Sequence, residues 1–364
     1  MKNRMEGWIP TRRLLKITEF ADKFCGKTEP IHRYIYLYFD KVLRVSMTDG
    51  CAIADMFFSK EFFPFKQTYK ISIQHLKGLL KGLKEEENPF IRMLALDEGL
   101  KIDLENMALN IESEDKTKPE FKIDKIFNKS PIKINKKTFV DSLDFSSILA
   151  MEGDIINIIS DSNGNMWNYY QSFNMSTYSF IGKSNISFSR GIPYVTVRHI
   201  IKSLSLLSEE IIDIFFLDDS IILKGKGYNI KICNVINPVI ESINMEFKSL
   251  EEKRLNIKEI KKIMNKAFTA LPVHIKVYII FGKDSYILAK DGKTTLSWKI
   301  NLKFENQYLM EINHRKFRSI LSRMDDEIIV KTNEKKITFI DKNKYLEIYV
   351  KEFKNLQYVD NPKF

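Results

Sequence analysis

The chain carries one local pattern three times. Ser72, Thr196 and Asn313 are each of a helix-capping residue type, and each follows a β-branched apolar residue (Ile71, Val195, Ile312). The same helical register runs on from each. Leu76, Ile200 and Phe317 come first, then Leu80, Leu204 and Leu321, then Leu83, Leu207 and Met324. An earlier helix start repeats as well, at Thr11, Asn135 and Asn256, with Leu15, Phe139 and Ile260 four places on. Each repeat of about 120 residues therefore holds two helix-bearing halves. A chain of such repeats builds a curved or closed array, because each unit buries a face on its neighbour.

Between the helices the apolar residues alternate as strands do. In the first repeat the expected order is a helix over 11–27, strands at 34–39, 42–47, 52–58 and 69–73, a helix over 72–84, and strands at 91–96, 100–104 and 107–111. The second repeat has helices at 135–147 and 196–207, with strands at 154–160, 165–170, 211–217, 220–224 and 228–235. The third has helices at 256–270 and 313–324, with strands at 274–281, 285–289, 296–301, 327–332, 336–340 and 345–350. Two segments read as interdomain linkers. Residues 113–137 are charge-mixed with Pro119 and Pro131, and 237–254 carry Pro238 and a run of charges. The domain division is 1–125, 126–250 and 251–353, with 354–364 as an aperiodic tail.

Charge points to the partner. The chain has 58 Lys and Arg against 47 Asp and Glu, a net charge of +11, which favours polyanions. All six expected helices carry basic residues. Lys77, Lys81 and Lys84 recur at i, i+4, i+7, and Lys258, Lys262 and Lys266 at i, i+4, i+8, so each set shares one face. A solvated lysine face is ordinary on any one helix; six equivalent helices so marked make a pattern. If the helices share one side of a curved sheet, they form a surface that neutralises phosphates without reading bases.

The length, the triple repeat and two local stretches resemble the bacterial β-type sliding clamp of the replicative DNA polymerase. The stretches are Val42-Leu43-Arg44-Val45-Ser46-Met47-Thr48-Asp49-Gly50, a strand running into a Thr-Asp-Gly turn, and Tyr194-Val195-Thr196-Val197-Arg198-His199-Ile200-Ile201; Asp291-Gly292 repeats the turn in the third unit. The resemblance runs to about Phe353 and implies an α+β DNA clamp fold, with three repeated domains of two helix-plus-strands halves and helices on one face of curved antiparallel sheets. It further implies a head-to-tail homodimeric ring around double-stranded DNA, a non-catalytic processivity role, and partners in a DNA polymerase and a clamp loader, bound through a short peptide in an apolar pocket. The expected DNA contacts are Arg12, Arg13, Lys77, Lys81, Arg198, Lys202, Lys258, Lys262, Arg315 and Arg318. By position, the pocket draws on Met175, Ile243, Met245, Tyr349 and Phe353.

The chain departs from that family in three ways. It is basic where family members are typically acidic. Its second repeat has Gln171-Ser172-Phe173-Asn174-Met175-Ser176 where the family's pocket has Thr-Asp-Gly-His-Arg-Leu, and it continues through Lys354 to Phe364. Two other readings keep the fold: a basic monomer holding DNA on an open face, and a clamp-fold scaffold without DNA retention.

Other chemistries lack their residues. There is no Gly-rich phosphate loop, and Gly225-Lys226-Gly227 reads as a hairpin turn. The five histidines show no metal-ligand spacing, and no nucleophile sits beside a base, so neither a cofactor nor a metal nor enzymatic activity is expected. The three cysteines, Cys25, Cys51 and Cys233, are too few and too scattered in sequence for a disulfide framework or a zinc site, and a reducing cytoplasm is the natural setting. The basic N-terminus has no apolar signal segment, and no run reaches membrane-span length, so no membrane partner is expected.

Overall fold

A computed structural model describes residues 5–26, 33–40, 42–58, 68–96, 99–104, 107–112, 130–233, 249–266, 271–272, 274–291 and 294–351. The first repeat contributes β1 (Met5–Pro10), α1 (Thr11–Phe24), β2 (Tyr34–Asp40), β3 (Val42–Thr48), β4 (Ala52–Phe58), β5 (Thr68–Ser72), α2 (Ile73–Leu80), β6 (Phe90–Leu96), β7 (Gly99–Leu104) and β8 (Met107–Glu112). The second contributes β9 (Ile132–Asn135), α3 (Lys136–Ser146), β10 (Ile155–Ser160), β11 (Asn165–Gln171), β12 (Met175–Lys183), β13 (Ser189–Pro193), α4 (Tyr194–Leu204), β14 (Ile211–Phe216), β15 (Ser220–Gly225) and β16 (Tyr228–Cys233). The third contributes β17 (Glu251–Asn256), α5 (Lys258–Lys266), β18 (Lys276–Phe281), β19 (Ser285–Asp291), β20 (Thr294–Ile300), β21 (Tyr308–Ile312), α6 (His314–Leu321), β22 (Glu327–Thr332), β23 (Lys336–Asp341) and β24 (Lys344–Tyr349). Among the described residues this is an α+β fold of six α-helices and antiparallel sheets, each half reading strand, helix, three strands.

Four of the six helix starts are capped as the residue types require. Ser72 Oγ accepts from His75 N, Asn135 Oδ1 from Thr138 N, Asn256 Oδ1 from Lys258 N and Asn313 Oδ1 from Lys316 N. The other two differ from expectation, and a proline precedes the helix in both. Pro10 occupies the cap of α1, so Thr11 is its first residue, with its hydroxyl on Asn88 O, and Leu14 rather than Leu15 is fully buried. Pro193 ends β13 and α4 begins at Tyr194, one turn earlier than its counterparts, which leaves Thr196 inside the helix and 1% exposed. Proline suits these places because its fixed φ leads from strand to helix and the missing N–H is not needed there. The expected linkers lie mostly outside the described residues, but their ends are strands: β9 in the first and β17 in the second. The tail at 354–364 is also outside them.

Within every repeat the strand before each helix crosses to the other half's sheet. β1 pairs with β6 and β5 with β2; β9 pairs with β14 and β13 with β10; β17 pairs with β22 and β21 with β18. Each half-sheet is therefore four-stranded, with the crossing strand on one edge and the end of a hairpin on the other. Neighbouring repeats then join through those hairpin-end strands, giving the eight-stranded orders β5-β2-β3-β4-β16-β15-β14-β9 and β13-β10-β11-β12-β24-β23-β22-β17. The two joints share one register. The fifth residue of β4, Met56, faces the first of β16, Tyr228, and the fifth of β12, Ser179, faces the first of β24, Lys344. The sheets β1-β6-β7-β8 and β20-β19-β18-β21 remain four-stranded, so the outer edges of the hairpin-end strands β8 and β20 have no partner among the described residues.

The chain forms two compact units, Met1–Val140 with Val195–Val235 and Asp141–Tyr194 with Ile236–Phe364, each with one eight-stranded and one four-stranded sheet. In the first, α1 packs on α2 and β3, burying Leu14, Ile17, Phe20 and Phe24 with Leu76 and Leu80. In the second, α5 packs on α6, and Phe339 meets the rings of Phe281 and Phe317, at 6.2 and 6.0 Å between centroids. Each such ring contributes about 1.5–3 kcal/mol by leaving water.

One polar knot ties a hairpin of the first unit to a helix. Asp49, fully buried by side chain, follows β3; its Oδ1 accepts from Cys51 N at 2.9 Å and Ala52 N at 2.6 Å, and its Oδ2 lies 3.0 Å from His199 Nδ1 on α4. Gly50 turns the chain with φ 95°. Asp49→Ala leaves a buried amide, a half-buried amide and the imidazole without their acceptor, and we expect it to lower the unfolding free energy by about 2–3 kcal/mol, read by urea titration.

Candidate nucleic-acid interface

The net charge of the molecule is carried by its helices. Counting Lys and Arg against Asp and Glu, α1 to α6 hold +2, +1, 0, +2, +3 and +3, which together equal the +11 of the whole chain. Strands, turns and connections are balanced. The segments α2, α4 and α6 contain no acidic residue at all.

Burial sorts the ten expected contacts, nine of which lie on helices; Lys81 is the C-cap of α2. Arg12, Lys81, Lys202, Lys258, Lys262 and Arg315 are exposed and form no ion pair among the described residues. On α5, Ile260 and Met264 point into the core, so Lys258 and Lys262 face out; on α6, Phe317, Ile320 and Leu321 do the same for Arg315. Lys77 is exposed but bridges to Asp22 of α1 at 2.9 Å, fastening α2 to α1. Arg13 is half-buried with its guanidinium 4.9 Å from the Phe58 ring centroid, and burial lowers it from the usual arginine value. Arg198 and Arg318 are half-buried and have partners of their own.

Several other lysines serve the fold. Lys136 Nζ donates to Leu207 O just past the end of α4, and Lys261 Nζ to Met324 O just past α6, placing cations where the helix carbonyls are unpaired. Lys316 Nζ donates to Leu149 O, and burial lowers it from the usual lysine value.

The expected peptide pocket is only in part within the described residues; Ile243, Met245 and Phe353 lie outside them. Met175 and Tyr349 sit at the same end of the β12–β24 pair, where Tyr349 N donates to Asn174 O at 3.0 Å. Met175 is 1% exposed and faces Ile348, so it packs in the core, while Tyr349 is half-buried. The β11–β12 turn presents Phe173, 96% exposed, and Asn174, whose Nδ2 donates to Glu311 O at 2.6 Å. Sequence reasoning passed over Phe173; its signal was a large ring at the position where the first repeat's turn has Gly50.

Three interlaced βαβββ pairs joined edge to edge, with a basic helix set, define the sliding-clamp class of fold. The sequence matches no family model and no curated protein. Among solved structures the chain is similar to the DNA polymerase III β subunit of Borrelia burgdorferi (TM-score 0.78, 14% identity, 96% of this chain and 99% of that one) and to the DNA polymerase sliding clamp of Bacillus subtilis (0.77, 12%, 96% and 100%). It is also similar to the Helicobacter pylori β clamp bound to a DNA ligase peptide (0.73, 14%, 96% and 100%). The fold is that of bacterial polymerase III β clamps. Among the described residues no helix is long and apolar enough to cross a membrane.

This sorting separates fastening cations from free ones. Lys77→Glu sets a like charge beside Asp22 and is expected to cost about 0.5–1 kcal/mol of stability, whereas Lys262→Glu stays within about 0.5 kcal/mol of the parent, both read by urea titration.

Proposed function

We propose that the chain is a DNA sliding clamp: a non-catalytic, cytoplasmic processivity factor that encircles duplex DNA as a head-to-tail homodimer and tethers a polymerase and other partners. The observation that carries this reading is the confinement of the entire +11 net charge to six repeated helices of a clamp fold. Outward Lys and Arg at repeated positions meet phosphates at any register, which gives affinity without pinning the protein to a sequence. The six exposed cations Arg12, Lys81, Lys202, Lys258, Lys262 and Arg315 are the leading contacts, with Arg13, Lys77, Arg198 and Arg318 behind them. The domains are 1–125, 126–250 and 251–353. Partner peptides dock near Met175 and Tyr349, with Ile243, Met245 and Phe353 contributing. Since the Thr-Asp-Gly-His-Arg-Leu stretch is replaced by Gln171 to Ser176, the preferred peptide differs from the family's.

Replacing Lys202, Lys258, Lys262 and Arg315 together by Glu tests the DNA reading. Retention on circular duplex DNA should fall by at least about tenfold, and the slope of log affinity against log salt should shrink by about 4, near 0.9 per lost phosphate contact. Unchanged retention with an unchanged slope removes the helices from the interface.

Edge pairing supports the dimer. β4 of the first repeat joins β16 of the second, and β12 of the second joins β24 of the third; the same rule carried onward joins β20 of one copy to β8 of the next. Keeping the shared register sets Trp298 opposite Met107, Leu296 opposite Leu109 and Thr294 opposite Ile111. Their counterparts in the first joint, Met56 with Tyr228, Ala54 with Ile230 and Ala52 with Ile232, are all buried. In the single chain Leu296 is 46% and Met107 51% exposed, an apolar edge of the kind that invites another strand. With Cys51 and Cys233 changed to Ser, a Leu109→Cys, Leu296→Cys chain should oxidise to a covalent dimer of twice 42.8 kDa, while Asn110→Cys with Leu296→Cys stays uncrosslinked. A persistent monomer by light scattering favours the open basic face instead.

A further inference from the structure

The three cysteines, far apart in sequence, converge on the turn between β3 and β4. Cys51 immediately precedes β4 and Cys233 ends β16. The β4–β16 register, continued one step past Ala52 and Ile232, sets the two directly opposite, and Cys233 N donates to Cys51 O at 2.8 Å. Only one of the two ladder bonds of such a pair forms, since Cys51 N is given to Asp49 Oδ1; directly opposed antiparallel residues lie about 4.5–5.5 Å apart at Cα, inside the roughly 4.4–6.8 Å a disulfide spans. Burial raises the Cys233 thiol, and Cys51 lies close enough to raise it further. Cys233 is exposed and Cys51 half-buried, so the pair has an outlet to solvent. Cys25 is 4% exposed, and burial pushes its thiol up to about 12.

We propose that Cys51 and Cys233 are an oxidisable cross-strand pair, which a low-molecular-weight disulfide converts to an intramolecular disulfide that staples the first repeat to the second. Cys233 Sγ gives its proton to solvent and attacks one sulfur of, for example, glutathione disulfide, expelling one glutathione thiolate and forming a mixed disulfide. Cys51 Sγ, deprotonated in turn, displaces the second glutathione and closes the protein disulfide. Two cysteine thiols lose two electrons and two protons; the glutathione disulfide takes up the electrons and leaves as two glutathione molecules. Burial, then the neighbouring Cys51, push Cys233 up to about 11. The attacking thiolate is therefore scarce at neutrality, and the rate climbs about tenfold per pH unit from about pH 7 to about pH 9.

The test uses the full chain treated with excess glutathione disulfide, alkylated, digested without reductant and mapped by mass spectrometry. The expected product joins the Cys51 and Cys233 peptides, leaves Cys25 free, and comes with a thermal midpoint several degrees higher that dithiothreitol reverses. Cys51→Ser and Cys233→Ser each abolish that rise and Cys25→Ser keeps it. Glutathione resting on Cys233 with no joined peptide, a bond to Cys25, or no reaction even at about pH 9 overturns the proposal.

Discussion

Edge-to-edge pairing of hairpin-end strands is the constraint on which the rest of the structure depends. A four-stranded half-sheet has one edge closed by the strand that crosses from its sister half and one edge open. Joining β4 to β16 and β12 to β24 closes four of those open edges inside one chain. It does so at one register, set by the apolar faces of the paired strands, because a slip of one residue would exchange the buried and exposed faces of the joint. The buried partners across the first joint are small on one side (Ala52, Ala54) and large on the other (Ile232, Ile230), so the two faces interlock rather than collide.

Charge is arranged on top of this frame. A helix that sends Leu or Phe at every third and fourth position into the sheet has an outer stripe with no packing duty, and all these helices but α3 carry a net positive charge. Other cations are put to a different use. They fasten helix to helix, as Lys77 does with Asp22, or satisfy carbonyls past a helix end, as Lys136 and Lys261 do. The same residue type thus divides by partner into cations that fasten the fold and exposed ones that form no ion pair among the described residues, and net charge alone does not reveal the division.

The repeat, the helix count and most hairpins were legible in the sequence, since capping residues and apolar periodicity are local signals. Thr11 and Thr196 misled because both are of a capping type, while the helices begin directly after Pro10 and Pro193, leaving Thr11 as a first residue and Thr196 a turn inside its helix. A strand before each helix fits the repeating order, but β1, β9, β13, β17 and β21 took no bounds from the sequence, for a common reason. They are short sheet edges with one partner each, and β17 in particular, Glu-Glu-Lys-Arg-Leu-Asn, has almost no apolar face to show. β12 was hidden behind Phe173 and Asn174, where no Asp-Gly marks the turn. In the candidate interface the basic positions were readable by spacing, but which of them are occupied by Asp22 or Phe58 was not, because those contacts arise from packing. The meeting of Cys51 with Cys233 follows from the strand joint, and that of Asp49 with His199, 150 residues on, from the placing of α4 against the β3–β4 turn.

The crossing strands also decide what can be gained or lost in such a chain. Because β1 completes the sheet of β6 to β8 and β5 that of β2 to β4, the halves of a repeat are laced through one another. Cut between them, each fragment keeps a strand that belongs elsewhere and lacks the one it needs. The smallest inheritable piece is the whole laced repeat, so duplication, deletion or exchange in this architecture proceeds in units of two helices and eight strands, never in halves.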